Sequence, residues 1–436
     1  MRFSIPFLLA SLLQVAYGAA DVFFIGQFDV REAISGVAAG NQCMNLINSL
    51  FMGLTMGGTV LVGQYVGAKM EKEAAATIGN VILVFGAIAV FATFAMLVFG
   101  RMLISLLQVP EEAVKDARTY LTICAIGSTF IMGYNIVSSI LRGLGNSKAP
   151  LVFVSIAFVI HIILDFLLIV IVRWGAAGAA VSTVISQAVS LVIALLYIRK
   201  KGLPFTFTRK DIRFDPRVIA RIFKIGVPVS MQYLMMTISF MIITAITNSM
   251  GIIYSAGVGV VSSLINFILM IPSSIGSAIS AITAQNIGAG QPDRAIKTTV
   301  WGIGISMIFA VFFFAAAQIW PEQIVSLMTK DPDVIREGAR YLIPYAWDSI
   351  LVCFVFCLNG LFSGSGKTMF VMAHNIASTF AVRIPVAYFM SLRKGADLFG
   401  VGLGTPLASF ASIIICIVYL KIKFNKNKLQ QLTVVK

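Results

Sequence analysis

Twelve windows of this chain stay apolar over about 20 residues, the length an α-helix needs to cross the hydrocarbon core of a bilayer. They lie near 3–25, 34–58, 76–100, 119–141, 150–172, 176–198, 224–248, 254–282, 296–318, 341–362, 368–391 and 399–420. Lipid offers the backbone no hydrogen-bond partner, so such windows have to be helical. The expected fold is an all-α integral membrane protein with 12 transmembrane helices. Composition agrees: 58% of the 436 residues are hydrophobic and 12% are charged, which excludes a soluble protein of ordinary surface. Arg2, the apolar run and Ala19-Ala20 outline a cleavable signal peptide. The apolar character resumes at Val22-Phe23-Phe24-Ile25, however, and the first window reads as a span.

A net charge of +15 would suit a nucleic-acid partner, but its distribution argues against one. With an even number of spans, both termini share a face. That face carries 22 Lys/Arg and 5 Asp/Glu, and the opposite face 10 of each. The excess is a topology signal that puts both termini in the cytoplasm of a cell-membrane protein. The expected partners are the bilayer and small molecules, with the chain a monomer. Cys43, Cys124, Cys353, Cys357 and Cys416 all fall inside spans without a CxxC pair, so neither a disulfide framework nor a metal site is indicated.

The chain repeats itself at a period of about 221 residues. Pro6 opens one span and Pro228 its counterpart; Gly63–Lys69 (GQYVGAK) matches Ala284–Gly290 (AQNIGAG); Ala117–Leu121 matches Ala339–Leu342; Arg142–Lys148 matches Ser363–Lys367. Six spans per half make parallel repeats, related by a pseudo-two-fold axis along the membrane normal, one of the two arrangements of secondary transporters. The expected organisation is an N-terminal six-helix lobe over 1–198, a basic linker over 199–221 on the cytoplasmic surface, a second lobe over 222–420 and a basic tail over 421–436. Pro6 and Pro228 are expected in the first turns of their helices, where a missing N–H is tolerated, with Pro6 a candidate bend.

Three carboxylates sit at membrane depth: Asp21, Asp165 and Asp348. An ionisable group there is expensive and by default functional. Gln14, Tyr17 and Asp21 are spaced 3 and 4 apart, on one helical face opposite Leu8, Leu12 and Phe23. His161 and Asp165 are one turn apart in the fifth span, and Thr183 lies in the sixth. If these helices converge, Asp21, His161, Asp165 and Thr183 form one polar cluster, with Gln14 and Tyr17 beside it. Two poorly solvated carboxylates repel, which makes proton uptake near neutral pH an expectation, and an imidazole beside them joins the titration. A Na⁺ site would need about six oxygens and would find His161 an unfavourable neighbour, so H⁺ is the expected coupling ion and no cofactor is expected. Asp348 and Arg383 are expected to form a charge pair of structural role. Met52, Met56, Tyr134, Met231, Met235 and Phe267 are candidates to contact a substrate, Met for its adaptable surface and aromatic rings for their attraction to organic cations.

Pro6, Gln14, Asp21 with the following Phe-Ile-Gly, the QYVGAK turn, RGLGNSK, the Leu-Asp of span five, Gly175–Thr183 and Arg383-Ile-Pro385 together resemble the multidrug and toxic compound extrusion (MATE) family, in its DinF-type branch. The resemblance covers essentially the whole chain. It implies two six-helix lobes around a cleft, functional aspartates at Asp21 and Asp165, and export of amphipathic, often cationic compounds in exchange for H⁺ or Na⁺. It also implies a short cytoplasmic leader ahead of the first span. The seventh helix, Lys224 to Asn248, has Gln232 and no acid, against a second-lobe Na⁺ site, and His161 stands where family members with a first-lobe Na⁺ site have Asn. The rival transport reading is a flippase for lipid-linked saccharide precursors, whose cleft would want several inward cations; only Arg383 lies at membrane depth. An enzyme would want clustered acids such as DDxxD or a Ser/His pair, and neither motif occurs.

Overall fold

The structure, a computed structural model, describes residues 3–28, 31–106, 109–393 and 395–423. Twelve helices among these are long and apolar enough to cross a membrane. They are α1 Ser4–Phe28, α2 Arg31–Gly67, α3 Glu71–Leu106, α4 Glu111–Gly143, α5 Lys148–Ile171, α6 Gly175–Lys201, α7 Pro216–Met250, α8 Ile252–Gly288, α9 Pro292–Ile319, α10 Pro332–Gly364, α11 Thr368–Ser391 and α12 Leu398–Ile422. No strand occurs among the described residues. The all-α membrane fold is therefore as the apolar windows require. The helices overrun those windows: α2 and α8 have 37 residues each, about 55 Å at 1.5 Å per residue, against a hydrocarbon core of about 30 Å. Their polar ends, such as Gly63 to Gly67, go on making helical hydrogen bonds beyond the stretch that hydropathy marks.

The chain divides into two compact units, Met1–Ser230 and Met231–Lys436. In the first, α4 is the enclosed helix, packed by α2, α3 and α6, with a buried run from Tyr134 to Gly143 that includes Asn135, Ser138, Ser139 and Arg142. In the second, α10 holds that position against α8, α9 and α12. The outer helices turn apolar side chains outward, as lipid-facing surfaces do: Phe91 is 71% exposed on α3 and Phe312 79% on α9.

Small residues set the crossings. Lipid tails are as apolar as leucine, so helices associate in a membrane by close backbone approach and interhelical hydrogen bonds. On α2 and α4 the Thr59 hydroxyl donates to the Ser139 carbonyl at 3.1 Å, beside Gly143, whose Cβ would stand 2.8 Å from the Thr59 carbonyl oxygen. On α8 and α10, Gly276 faces the Phe356 carbonyl in the same manner, at 2.5 Å.

The connection between halves is shorter than the expected linker, because helix claims both of its ends. α6 runs to Lys201 and α7 starts at Pro216, so Pro228 lies inside α7 and not in a first turn. Asp215 caps that start, accepting from the Arg217 N–H at 2.9 Å, while its own N–H donates to Asn80 on α3 at 2.9 Å. Between them, Asp211 accepts from the Thr208 N–H at 2.7 Å and its hydroxyl at 2.9 Å, and these bonds hold its carboxyl below the usual range. The first turns of α7 pack on α2, where a Cβ on Gly226 would stand 2.5 Å from the Leu54 carbonyl oxygen and one on Gly57 would run into that of Ile222. The division between units consequently falls within α7. The tail beyond residue 423 lies outside the described residues. Gly57→Ala should lower the melting temperature of the detergent-solubilised protein, a loss of about 1–3 kcal/mol. Gly304→Ala, at an α9 glycine with open space around it, should leave it unchanged or raise it; equal melting of the two variants would mean the α2–α7 crossing is loose.

Candidate functional site

The site is built on four helices of the first unit: α1 supplies Asp21, α4 Tyr120, α5 His161 and Asp165, α6 Ser182 and Thr183. Local sequence positions each of them. His161 and Asp165 project from the last regular turns of α5, just before the π-helical turn Phe166–Ile171. The small residues opening α6 (Gly175-Ala-Ala-Gly-Ala-Ala180) let it lie against that turn, with the Cβ position of Gly178 only 3.2 Å from the Leu168 backbone. One helical turn further on, α6 delivers Ser182 and Thr183. On α4, Tyr120 packs against Gly40 of α2, where a Cβ would stand 2.7 Å from its ring; any larger residue there would push the phenol off its course.

The four residues expected to converge do so. Asp21, His161 and Asp165 are 1%, 0% and 0% exposed. His161 Nε2 lies 3.1 Å from Asp21 Oδ1 and 3.1 Å from Thr183 Oγ1, and His161 Nδ1 lies 3.5 Å from Asp165 Oδ2. The imidazole thus stands between two carboxylates, one at each ring nitrogen. The Thr183 hydroxyl is 3.2 Å from Asp21 Oδ2. Two further donors were not anticipated: the Tyr120 hydroxyl donates to Asp21 Oδ2 at 2.7 Å, and the Ser182 hydroxyl donates to Asp165 Oδ1. Both carboxylates are acceptors when ionised; the His161 Nδ1–Asp165 Oδ2 approach is a charge contact and not a hydrogen bond, and neither atom has a hydrogen-bond partner among the described residues. Asp21, His161 and Asp165 also place one ligand atom each within 4.8 Å of one another, a spacing compatible with a bound cation.

The expected stripe on α1 splits. Tyr17 lays its ring 4.6 Å from that of His161, with Phe158 edge-on to it at 5.5 Å. Gln14 turns to α4 and donates to Asn135 Oδ1 at 3.4 Å. Pro6 sits in the first turn of α1, ahead of an unbroken helix.

Other expectations are corrected. Asp348 and Arg383 do not form an ion pair: the Arg383 guanidinium donates to Ser239 at 3.3 Å and lies 4.5 Å from the Phe240 ring centroid, and Asp348 Oδ1 has no hydrogen-bond partner. α11 loosens into its π-helical turn at Thr379–Arg383, which aims the guanidinium at α7. Tyr134 offers no surface to a ligand. It is 1% exposed, packed with Ala10, Val137 and Phe153, and its hydroxyl donates to the Pro150 carbonyl at 3.0 Å. Met52 and Met56 are half-buried one turn apart on α2, and Met231 and Met235 are at least partly exposed one turn apart on α7. The side chain of Phe267 lies outside the described residues.

The model of the MatE family matches residues 6–167 and again 228–389, two stretches 222 residues apart. At that spacing Ile243 answers to Asp21, Ser239 to Tyr17, Arg383 to His161 and Ala387 to Asp165. The juxtaposition of α1 with α5 through Tyr17 and His161 recurs as Ser239 with Arg383, but both carboxylates are gone. Among curated proteins, the "Probable multidrug resistance protein YpnP" of Bacillus subtilis is 29% identical over 99% of this chain and 95% of its own. The "Multidrug export protein MepA" of Staphylococcus haemolyticus is 24% identical over 90% and 86%. Among solved structures, a MATE protein in the bent conformation superposes with a TM-score of 0.90 at 20% identity, covering 100% of this chain and 96% of that one. With both halves matched by the family model, the protein belongs to the MatE family of membrane transporters.

Proposed function

We propose that the protein is an efflux antiporter that exports amphipathic, cationic organic compounds in exchange for H⁺, with Asp21, His161 and Asp165 as its coupling site. The observation that carries the reading is the imidazole set between two buried carboxylates at membrane depth. Three titratable groups in contact exchange protons as one unit. Fully deprotonated, the cluster holds two anionic carboxylates on one neutral ring, and an unbalanced charge in lipid is expensive. Proton uptake relieves it, and so would a change in helix packing that accompanies uptake of a cationic substrate. Coupling of that kind is reciprocal: protons weaken substrate binding and substrate expels protons.

Asp21 is the moving part in this scheme. It is the group of α1 that ties the helix to Tyr120 of α4, His161 of α5 and Thr183 of α6. Protonation removes the charge that strengthens those bonds and turns one of the two accepting oxygens into a donor, which loosens the hold on α1 and frees it to bend near Pro6. Na⁺ is disfavoured because the space between the carboxylates, where a shared cation would sit, is taken by the imidazole, a poor neighbour for a hard ion. Export outward follows from the charge bias, which puts the termini in the cytoplasm, and the chain acts as a monomer in a cell's inner or plasma membrane.

In proteoliposomes, a pH gradient should drive ethidium efflux and a Na⁺ gradient should not, with Asp21→Asn and Asp165→Asn each abolishing the pH-driven flux. Efflux driven by Na⁺ alone would falsify the proton assignment. Tyr120→Phe removes a charge-assisted bond worth about 1.5–3 kcal/mol and should slow pH-driven efflux by about tenfold or more, and Gly40→Ala, which displaces the same ring, should act in the same direction. Wild-type flux in both would mean that the Tyr120 bond plays no part in coupling.

A further inference from the structure

Away from the buried cluster, α3 and α4 line an open surface cavity of about 680 Å³ at the ends remote from the termini. Its polar lining consists of Arg101, Lys115, Arg118, Thr119 and Thr122, with Glu111 as the one acid. Three cations against one carboxylate leave the cavity net positive. None of the three basic side chains makes an ion pair among the described residues. The repeated half shows how unusual that is. Arg340, 222 residues after Arg118, pairs at 2.9 Å with Glu337, which stands 222 residues after Lys115. Where the second unit has an i, i+3 ion pair, the first has two like charges one turn apart, an arrangement that repels unless an anion lies between them.

The surface below the cavity is apolar. On α4, one turn apart and descending from Thr122, Ile126 is 62% and Phe130 43% exposed. On α3, stepping back from Arg101, Leu97, Phe94 and Val90 are likewise exposed. Arg101 and Arg118 stand at the edges of the apolar stretches of their helices, which end near residue 100 and begin near 119, and Lys115 lies one turn further out; the exposed strip beneath them is apolar, as an acyl chain requires. Amphipathic basic stems bridge such a boundary readily.

We propose that this seam is a binding site for an anionic phospholipid, whose phosphodiester sits among Arg101, Lys115 and Arg118 while an acyl chain lies along Ile126, Phe130 and Phe94. Arg101 and Arg118 offer planar guanidinium forks suited to phosphate oxygens, and Lys115 a point charge. A soluble phosphate would use the cations but gain nothing from the apolar strip, which is why the occupant is a lipid. By the topology inferred above, it belongs to the outer leaflet; occupancy itself does not depend on which ion drives transport.

The test uses the full-length protein in phosphatidylcholine nanodiscs containing a minor fraction of phosphatidylglycerol, with retained lipid read by native mass spectrometry on release. The wild type should retain phosphatidylglycerol in preference to phosphatidylcholine, and 10-fold excess inorganic phosphate should not displace it. Lys115→Glu, which installs the ion pair of the second unit, should weaken retention by about tenfold or more, with thermal stability in pure phosphatidylcholine undiminished. The triple variant Arg101→Gln, Lys115→Gln, Arg118→Gln should retain neither lipid preferentially. Unchanged retention in Lys115→Glu, or equal retention of both lipids by the wild type, overturns the site; displacement by inorganic phosphate overturns the lipid as its occupant.

Discussion

One imidazole between two carboxylates, sealed from water, is the constraint around which the first unit is arranged. Each group would be intolerable alone at membrane depth, and each is made tolerable by the others and by hydroxyl donors from α4 and α6. The surrounding helices are placed accordingly. Gly40 gives Tyr120 room to reach Asp21, the small residues opening α6 bring Ser182 and Thr183 against α5, and Tyr17 covers the imidazole face. The contacts link α1, α4, α5 and α6 through one set of side chains, so a change at any one of them is felt by the others.

The duplicated half shows what the frame does without that chemistry. α7 and α11 are joined by a side-chain contact at the positions equivalent to those of α1 and α5, but a guanidinium replaces the imidazole and alanine and isoleucine replace the carboxylates. A guanidinium offers only donors, whereas an imidazole can also accept, so the hydrogen bonding at this position differs between the two units. One repeated arrangement of helices therefore carries two carboxylates around an imidazole in one unit and a guanidinium without either carboxylate in the other. The α4 and α10 ends diverge in the same way, with Lys115 and Arg118 making no ion pair among the described residues on one and Glu337 paired with Arg340 on the other.

Much of the site was legible because charged side chains are so rare in apolar windows. Asp21, His161 and Asp165 stood out by depth alone, and Thr183 by its position near the start of the sixth span. Tyr120 and Ser182 did not, since a tyrosine or serine in a membrane helix is ordinary and only its neighbours make it a donor; the sole hint for Tyr120 was its place in the repeated Ala-Arg-Thr-Tyr-Leu. Spacing within one helix also misled where the partner lay on another. Gln14 shares a face with Asp21 yet turns to Asn135. Asp348 and Arg383 suggested a pair because opposite charges in lipid should meet, but the π-helical turn of α11 directs the guanidinium to Ser239 and Phe240.

The amino-acid sequence by itself determined that this chain crosses a membrane twelve times, that its two halves are copies, and that a few ionisable groups lie where lipid would otherwise be. Those properties follow from transfer energies and backbone hydrogen bonding, which depend on residue type and length and not on partners. Only the tertiary structure decided which groups touch: that His161 bridges two carboxylates, that Tyr120 rather than Gln14 completes the shell of Asp21, and that α7 begins twelve residues before its proline. Those outcomes depend on helix rotation and on close approaches that leave no room for a Cβ at Gly40 and Gly57 and little at Gly178, which no one-dimensional pattern records.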